Sequence, residues 1–149
     1  MTLTSDEIQQ IIPHRPPFLW LDEVTEIDEK RIVARKFVSP DLDVFRGHYP
    51  HFPILPGVLI CEALFQAAAV LIGRMTPSGS QAVPVATRIQ GAQFRRMVRP
   101  GETMQLEVDL TERLANAVFF KGHAVVEGQV AVRVEFACAE APLSEGHTI

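Results

Sequence analysis

The sequence predicts an α+β fold in which one antiparallel β-sheet wraps a single long α-helix, and three observations predict it. Residues 57–72, GVLICEALFQAAAVLI, are apolar on nearly every side and are interrupted only by Glu62 and Gln66. A helix of that kind must be buried almost all round. Further along, Met104, Leu106, Val108 and Leu110, and then Val130, Val132, Val134, Phe136 and Cys138, alternate with polar or small residues, which is the period of a half-buried strand. Finally, two strand-like segments precede the helix and a run of them follows it, an order that suits an antiparallel sheet packed on one helix. The 149 residues, 47% of them hydrophobic, fit a single core, so residues 1–149 are expected to form one domain.

The elements follow in order. Thr4 and Glu7 have the spacing of a capping box, and Ile8, Ile11 and Ile12 recur at helical intervals until Pro13, predicting a short N-terminal helix. Segments 18–27 and 31–38 are expected as strands around the polar turn Asp28-Glu29-Lys30. Prolines 40, 50, 53 and 56 exclude a continuous helix or a central strand from residues 39–56 and predict a stiff loop. After the long helix, 76–81 is expected as a loop. Strands are expected at 84–98, 103–112, 114–126 and 129–139, with Pro100-Gly101 and Glu127-Gly128 as turns. The final APLSEGHTI is expected to fray.

Composition narrows the function classes. A net charge of −4 argues against a general nucleic-acid binder, which needs a basic surface. No run of 18 apolar residues occurs, and the start MTLTSDEIQQ lacks the order of a secretory signal, so a cytoplasmic protein without a membrane span is expected. Cys61 and Cys138 lie far apart in apolar segments and are expected as buried free thiols, not as a disulfide or a metal pair. A mean hydropathy of +0.12 is high for a chain with no apolar tail. A six-stranded sheet on one helix also leaves an edge uncovered, so a dimer is expected.

Chemistry concentrates in residues 47–66. His48 lies in the proline-fixed loop and carries the side chain whose ordinary pKa is nearest neutrality. Glu62 lies in the apolar helix, about 7.5 Å along it from Gly57 at 1.5 Å per residue, where its neighbours disfavour the charged form. A base and an acid so held suit the elimination of water or its reversal. A simpler account exists for each: the carboxylate can be held by a cation or by Gln66 one turn on, and a loop histidine can be only a turn residue. Gly57 opens the helix and can offer an unhindered N–H at the positive end of its dipole to a carbonyl oxygen gaining charge, although Pro56-Gly57 can equally just start a helix.

The string GHYPHFPILPGVLICEALFQAA resembles the GHFPxxPxxPGVLxxEAxxQ signature of the 3-hydroxyacyl-[acyl-carrier-protein] dehydratases of fatty acid synthesis, the FabZ type of the hotdog fold. The likeness extends to IIPHRPPFLWLDEV upstream and QFRRMVRPGE downstream. It implies a hotdog fold and reversible dehydration of a 3-hydroxyacyl thioester to the trans-2-enoyl thioester. His48 would be the catalytic base and Glu62 the catalytic acid, contributed by two subunits to one site. Gly57 would bind the thioester carbonyl, and Gln66 would hold the carboxylate. No metal or organic cofactor is implied, since the phosphopantetheine arm belongs to the acyl carrier protein. A homodimer, or a trimer of dimers, is the implied assembly.

A related FabA branch, which also isomerises, typically has Asp where this chain has Glu62. Departures from the FabZ pattern include Tyr49, His51-Phe52, TRIQGAQFRR and Asp22-Glu23; they leave the catalytic pair intact and bear on substrate range and carrier docking. Acyl carrier proteins are acidic, so Arg95, Arg96 and Arg99, together with Arg88, are the expected docking residues; charge protecting a strand edge explains them equally well. Phe18, Leu19, Trp20, Leu64, Phe65 and Phe94 are available to line an acyl tunnel or to fill the core. Two other functions fit the same residues: a hotdog thioester hydrolase, which would release free acid, and a non-catalytic carrier-binding subunit, in which His48→Ala would change nothing.

Overall fold

In the computed structural model, which describes residues 1–76 and 82–142, helix α1 (Ser5–Ile11) leads into strands β1 (Glu23–Ile27) and β2 (Arg31–Phe37). Helix α2 (Gly57–Met75) and strands β3 (Ala82–Phe94), β4 (Thr103–Leu114), β5 (Ala117–Val126) and β6 (Gln129–Pro142) follow. The strands form one antiparallel sheet in the order β1-β2-β4-β5-β6-β3. The sheet curls around α2, which is the hotdog arrangement that the resemblance implies.

The α1 cap is the predicted one. The Thr4 hydroxyl accepts from the Glu7 N–H at 3.2 Å, while Glu7 accepts from the Thr4 N–H at 3.0 Å, so two otherwise unpaired donors are satisfied reciprocally. The core consists of Ile60, Leu64, Ala67, Ala68, Val70, Leu71 and Ile72 of α2 against the inward residues of the sheet, such as Leu106, Val108, Phe120, Val134 and Phe136. By length and composition α2 could cross a membrane, but most of it is buried inside this fold, as a core helix must be. Its end at Met75, three residues beyond expectation, is reached because Gly73, Arg74 and Met75 continue the helix until the extended Thr76.

Two expected strands differ. Residues 18–22 do not join β1: the Phe18 carbonyl and the Trp20 N–H bond to Gln66 of α2, and the Asp22 N–H reaches β2, at the Arg35 carbonyl 2.7 Å away. Residues 95–98 leave β3, because the Arg95 and Arg96 N–H groups both converge on the Ala131 carbonyl, at 2.7 and 3.2 Å. The arginines therefore do not alternate across a strand as the sequence suggests. Between β4 and β5 a tight turn places Ala115 at φ 52°. The 39–56 loop contains only a short 3-10 helix at Asp43–Arg46. Residues 77–81 of the expected 76–81 loop, and all of the expected fraying tail from residue 143 onward, lie outside the described residues. Both cysteines are buried free thiols.

Candidate active site

Three elements position the functional side chains: the proline-fixed loop before α2, the first three turns of α2, and the segment joining α1 to β1. In the loop, the His48 Nδ1 lies 2.8 Å from the Ile54 carbonyl oxygen. A carbonyl only accepts, so Nδ1 carries the proton and the Nε2 lone pair is left to act as a base. Tyr49, held at φ 53°, stacks edge-on against the imidazole with ring centroids 4.7 Å apart. A non-glycine residue in the left-handed region is sparsely populated, and here it lies directly beside the base.

Gly57 is the first residue of α2, whose N-cap, Pro56, offers no side-chain cap. Among the described residues the Gly57 N–H has no partner, so it remains available at the positive end of the helix. A Cβ at this position would lie 2.5 Å from two ring carbons of Phe94. A side chain here would therefore displace that ring. Phe94, the exposed last residue of β3, and Ile54, Ile60, Met97 and Val132 line a groove of about 470 Å³ that opens beside Gly57.

Glu62 sits on the opposite side of the helix start. Its Oε2 accepts from Gln66 Nε2 at 2.9 Å, the one-turn pairing that their spacing predicts. Gln66 is fully buried and uses its remaining capacity on the 18–20 segment, donating to the Phe18 carbonyl at 2.9 Å and accepting from the Trp20 N–H at 2.8 Å. The sequence foretold the first bond and not the other two. Glu62 keeps about a quarter of its side-chain surface exposed, so its desolvation is less complete than an all-apolar helix implies.

Sequence reasoning passes over His14, whose Nε2 lies 3.7 Å from Glu62 Oε2. The available signal is a histidine held between Pro13 and the Pro16-Pro17 pair. Burial pushes the His14 imidazole below its ordinary pKa; Glu62 pulls it upward and Arg15 adds to the lowering. His14, Glu62, Phe65, Ala69, Pro84, Val85, Ala86 and Cys138 line a cavity of about 180 Å³. His48 is not among these residues, and among the described residues no hydrogen bond joins it to Glu62. Within one chain, His48 and Glu62 therefore do not pair with each other.

The arginines also separate. Arg96 is committed to Glu102 through two bonds of 3.1 and 2.7 Å, and it donates to Gln129 and to the Met97 carbonyl as well. The Glu102 carboxyl is correspondingly held below its ordinary range, chiefly by Arg96. The Arg99 guanidinium lies 4.6 Å over the Phe52 ring, a cation–π contact. Arg95 has no acidic side-chain partner among the described residues. It shares an open groove with Arg133, a residue the sequence reasoning missed although the alternation of Val132 and Val134 turns it outward. Of the residues offered for a tunnel, Leu19, Trp20 and Leu64 are core, Phe65 lines the Glu62 cavity, Phe94 lines the Gly57 groove, and Phe18 is half-exposed. Among the described residues no group of three His, Cys, Asp or Glu side chains is placed to hold a metal ion.

Comparison with known proteins agrees in fold and in sequence. A chain of the dehydratase heterocomplex ApeI:P from Xenorhabdus doucetiae superposes with a TM-score of 0.78 at 18% identity, over 93% of each chain. A 3-hydroxyacyl-[acyl-carrier-protein] dehydratase FabZ from Enterococcus faecalis is 46% identical over 136 residues, 91% of this chain and 96% of the relative. The enzyme of the same name from Aromatoleum aromaticum is 43% identical over 143 residues, 93% and 98% respectively. The FabA-like domain matches residues 12–135, from the end of α1 into strand β6, and with identity of this extent across nearly the whole chain the protein belongs to the FabA-like family.

Proposed function

We propose that this chain is a 3-hydroxyacyl-[acyl-carrier-protein] dehydratase that removes water reversibly from a 3-hydroxyacyl thioester to give the trans-2-enoyl thioester, as in fatty acid synthesis. The observation that carries the proposal is the state of the two acid–base groups. His48 has Nδ1 committed to a carbonyl and Nε2 free, and Glu62 has one oxygen held by Gln66 and the other uncommitted among the described residues. The names of the relatives, 3-hydroxyacyl-[acyl-carrier-protein] dehydratase FabZ, support the same chemistry.

In the forward direction His48 Nε2 takes a proton from C2, and negative charge develops on the thioester oxygen. The Gly57 N–H, at the end of the α2 dipole, stabilises that oxygen. The C2–H electrons become the C2–C3 double bond as the C3–O bond breaks, and Glu62 protonates the departing hydroxyl, which leaves as water. The carboxylate and imidazolium then exchange the proton with solvent to reset. The reaction is redox-neutral and calls on no metal or organic cofactor; the phosphopantetheine arm arrives with the carrier.

The site is shared between two copies of the chain, with His48 of one approaching Glu62 of the other. Their separation within one chain supports this, as does the exposed outer half of edge strand β3, with Ile89 and Phe94 uncovered. A homodimer is the smallest assembly that completes the site, and a trimer of dimers repeats it. Arg95, with Arg133 beside it, receives the acidic carrier; Arg99 lies nearby, and Arg96 is structural. The protein works in the cytoplasm, where carrier and enzyme meet.

The test supplies short and medium 3-hydroxyacyl carriers and follows the 2-enoyl thioester. Glu62→Gln is expected to retain the fold and lose about 10²- to 10⁴-fold in rate, the usual contribution of a general acid. Mixing His48→Ala with Glu62→Gln subunits should restore part of the activity, because mixed dimers contain one intact pair. Free acid in place of enoyl product would establish a hydrolase, and equal background turnover in wild type and His48→Ala would establish a carrier-binding subunit.

A further inference from the structure

His14 has no part in the reaction above, yet it is the second polar group in contact range of Glu62. Its Nε2 is 3.7 Å from Oε2, and its Nδ1 is buried with no hydrogen-bond partner. These two facts choose the tautomer. With the proton on Nδ1, a buried N–H would be orphaned and a lone pair would face a carboxylate, both unfavourable. With the proton on Nε2, only an acceptor is left unpaired and the N–H points at Glu62. Gln66 and His14 then both address Oε2, and Oε1 is the oxygen left to turn toward the 180 Å³ cavity.

Resting on the dehydratase reading, we propose that His14 is a positioning residue that, together with Gln66, pins one oxygen of Glu62 and so aims the other at the substrate hydroxyl. A separation of 3.7 Å exceeds hydrogen-bond length; contacts of this kind often tighten in the complex with substrate. The imidazole must be neutral for this role, since a full positive charge here would hold the carboxylate ionised. Burial favours neutrality. The groups facing His14 are Glu62 from α2, Cys138 from β6 and its neighbour Arg15; β3 brings only Pro84, Val85 and Ala86 to the cavity.

Two measurements test the inference. In steady-state dehydration, His14→Phe, which keeps a ring but no N–H, should lower kcat about tenfold with KM within about twofold, and His14→Gln, whose amide N–H reaches the same place, should restore most of it. Unchanged kcat in His14→Phe, or a His14→Gln variant no better than His14→Phe, would overturn the proposal. Independently of activity, the His14 imidazole followed by NMR should titrate below an ordinary histidine in the wild type and lower still in Glu62→Gln, which lacks the partner that pulls it upward. A His14 midpoint indifferent to Glu62→Gln would refute the contact, and this measurement decides if His14→Phe does not fold. Failure of the wild type to form enoyl product would refute the dehydratase reading while leaving the titration result standing.

Discussion

Replacing Gln66 by leucine should be among the most damaging single changes available on α2, and the structure indicates by how much. Leucine is close in volume and itself a good helix former, so helix propensity and cavity formation contribute little. The loss is polar. Gln66 accepts from the Trp20 N–H at 2.8 Å and donates to the Phe18 carbonyl and to Glu62 Oε2, each at 2.9 Å. Trp20 is buried, so its N–H would be left without solvent or partner, at a cost of about 1–3 kcal/mol. The Phe18 carbonyl belongs to a half-exposed residue and can turn to water. The hydrogen bond to Glu62 contributes about 0.5–1.5 kcal/mol, and partial exposure of the carboxyl group holds it near ~1 kcal/mol. Together these give about 3 kcal/mol, a large part of the 5–15 kcal/mol typical of a domain, and a Tm lowered by roughly 10 °C for a chain of this length. Urea unfolding of wild type, Gln66→Leu, Glu62→Gln and the double variant separates the two parts. The Gln66–Glu62 coupling should account for about a third of the total. A Gln66→Leu protein within about 0.5 kcal/mol of wild type would refute the claim that Gln66 ties the 18–20 segment to α2.

Other perturbations have defined outcomes. Gly57→Ala forces the Phe94 ring aside; because that ring is exposed, stability should fall by about 1 kcal/mol or less while kcat drops, and Gly57→Ala/Phe94→Ala should recover folding stability, read by thermal melting. Arg96→Ala should destabilise by about 1–2 kcal/mol through loss of its bidentate pair with Glu102, whereas Arg95→Ala should leave the melt unchanged and raise KM for a carrier-borne substrate most strongly at low salt. Since Arg96 holds the Glu102 carboxyl below its ordinary value of 4.5, the pair's contribution is full above that value and is lost as pH falls through the lowered one, so Arg96→Ala should flatten the acid limb of a stability profile. Burial, with Glu62 adding to it, pushes the Cys138 thiol up to about 12 from 9.0. The folded state therefore keeps a proton that the unfolded chain loses, and stability should decline from pH 9 upward by as much as about 1.4 kcal/mol per unit; urea unfolding of Cys138→Ala at pH 8 to 11 should lack that component.

Much of this architecture was legible because it rests on short-range rules. The α1 capping box, the apolar α2 and the strict alternation of β4 and β6 are each decided within a few residues, and the structure follows them. The misreadings arise where a distant group overrides local pattern. Residues 18–22 have strand-like composition, but Phe18 and Trp20 bond to Gln66, 46 positions away from Trp20 in sequence, and no window of neighbouring residues contains that information. Arg95–Val98 likewise leave β3 because a single carbonyl, that of Ala131, takes two N–H groups. At the site, the i to i+4 spacing foretold the Glu62–Gln66 bond, whereas the approach of His14 to Glu62 depends on how the α1–β1 connection crosses α2. Arg96 and Arg95 look equivalent in sequence; a glutamate six residues on makes one of them scaffold.

The separation of His48 from Glu62 is itself informative about how the site avoids neutralising itself. Were His48 and Glu62 in direct contact within one chain, they would pair, with the proton shared between them and His48 Nε2 no longer free to take one from substrate. Here each is satisfied by a group that fixes its geometry while leaving one functional atom uncommitted: a backbone carbonyl on His48 Nδ1 and an amide on Glu62 Oε2. Neither partner is a full opposite charge. On the dehydratase reading proposed above, the base of one copy would meet the acid of another only across the substrate's C2 and C3. On that reading the exposed edge of β3, the Phe94 ring over Gly57 and the groove beside it belong to one requirement: the chain must meet its copy without closing the path by which the acyl thioester reaches both groups.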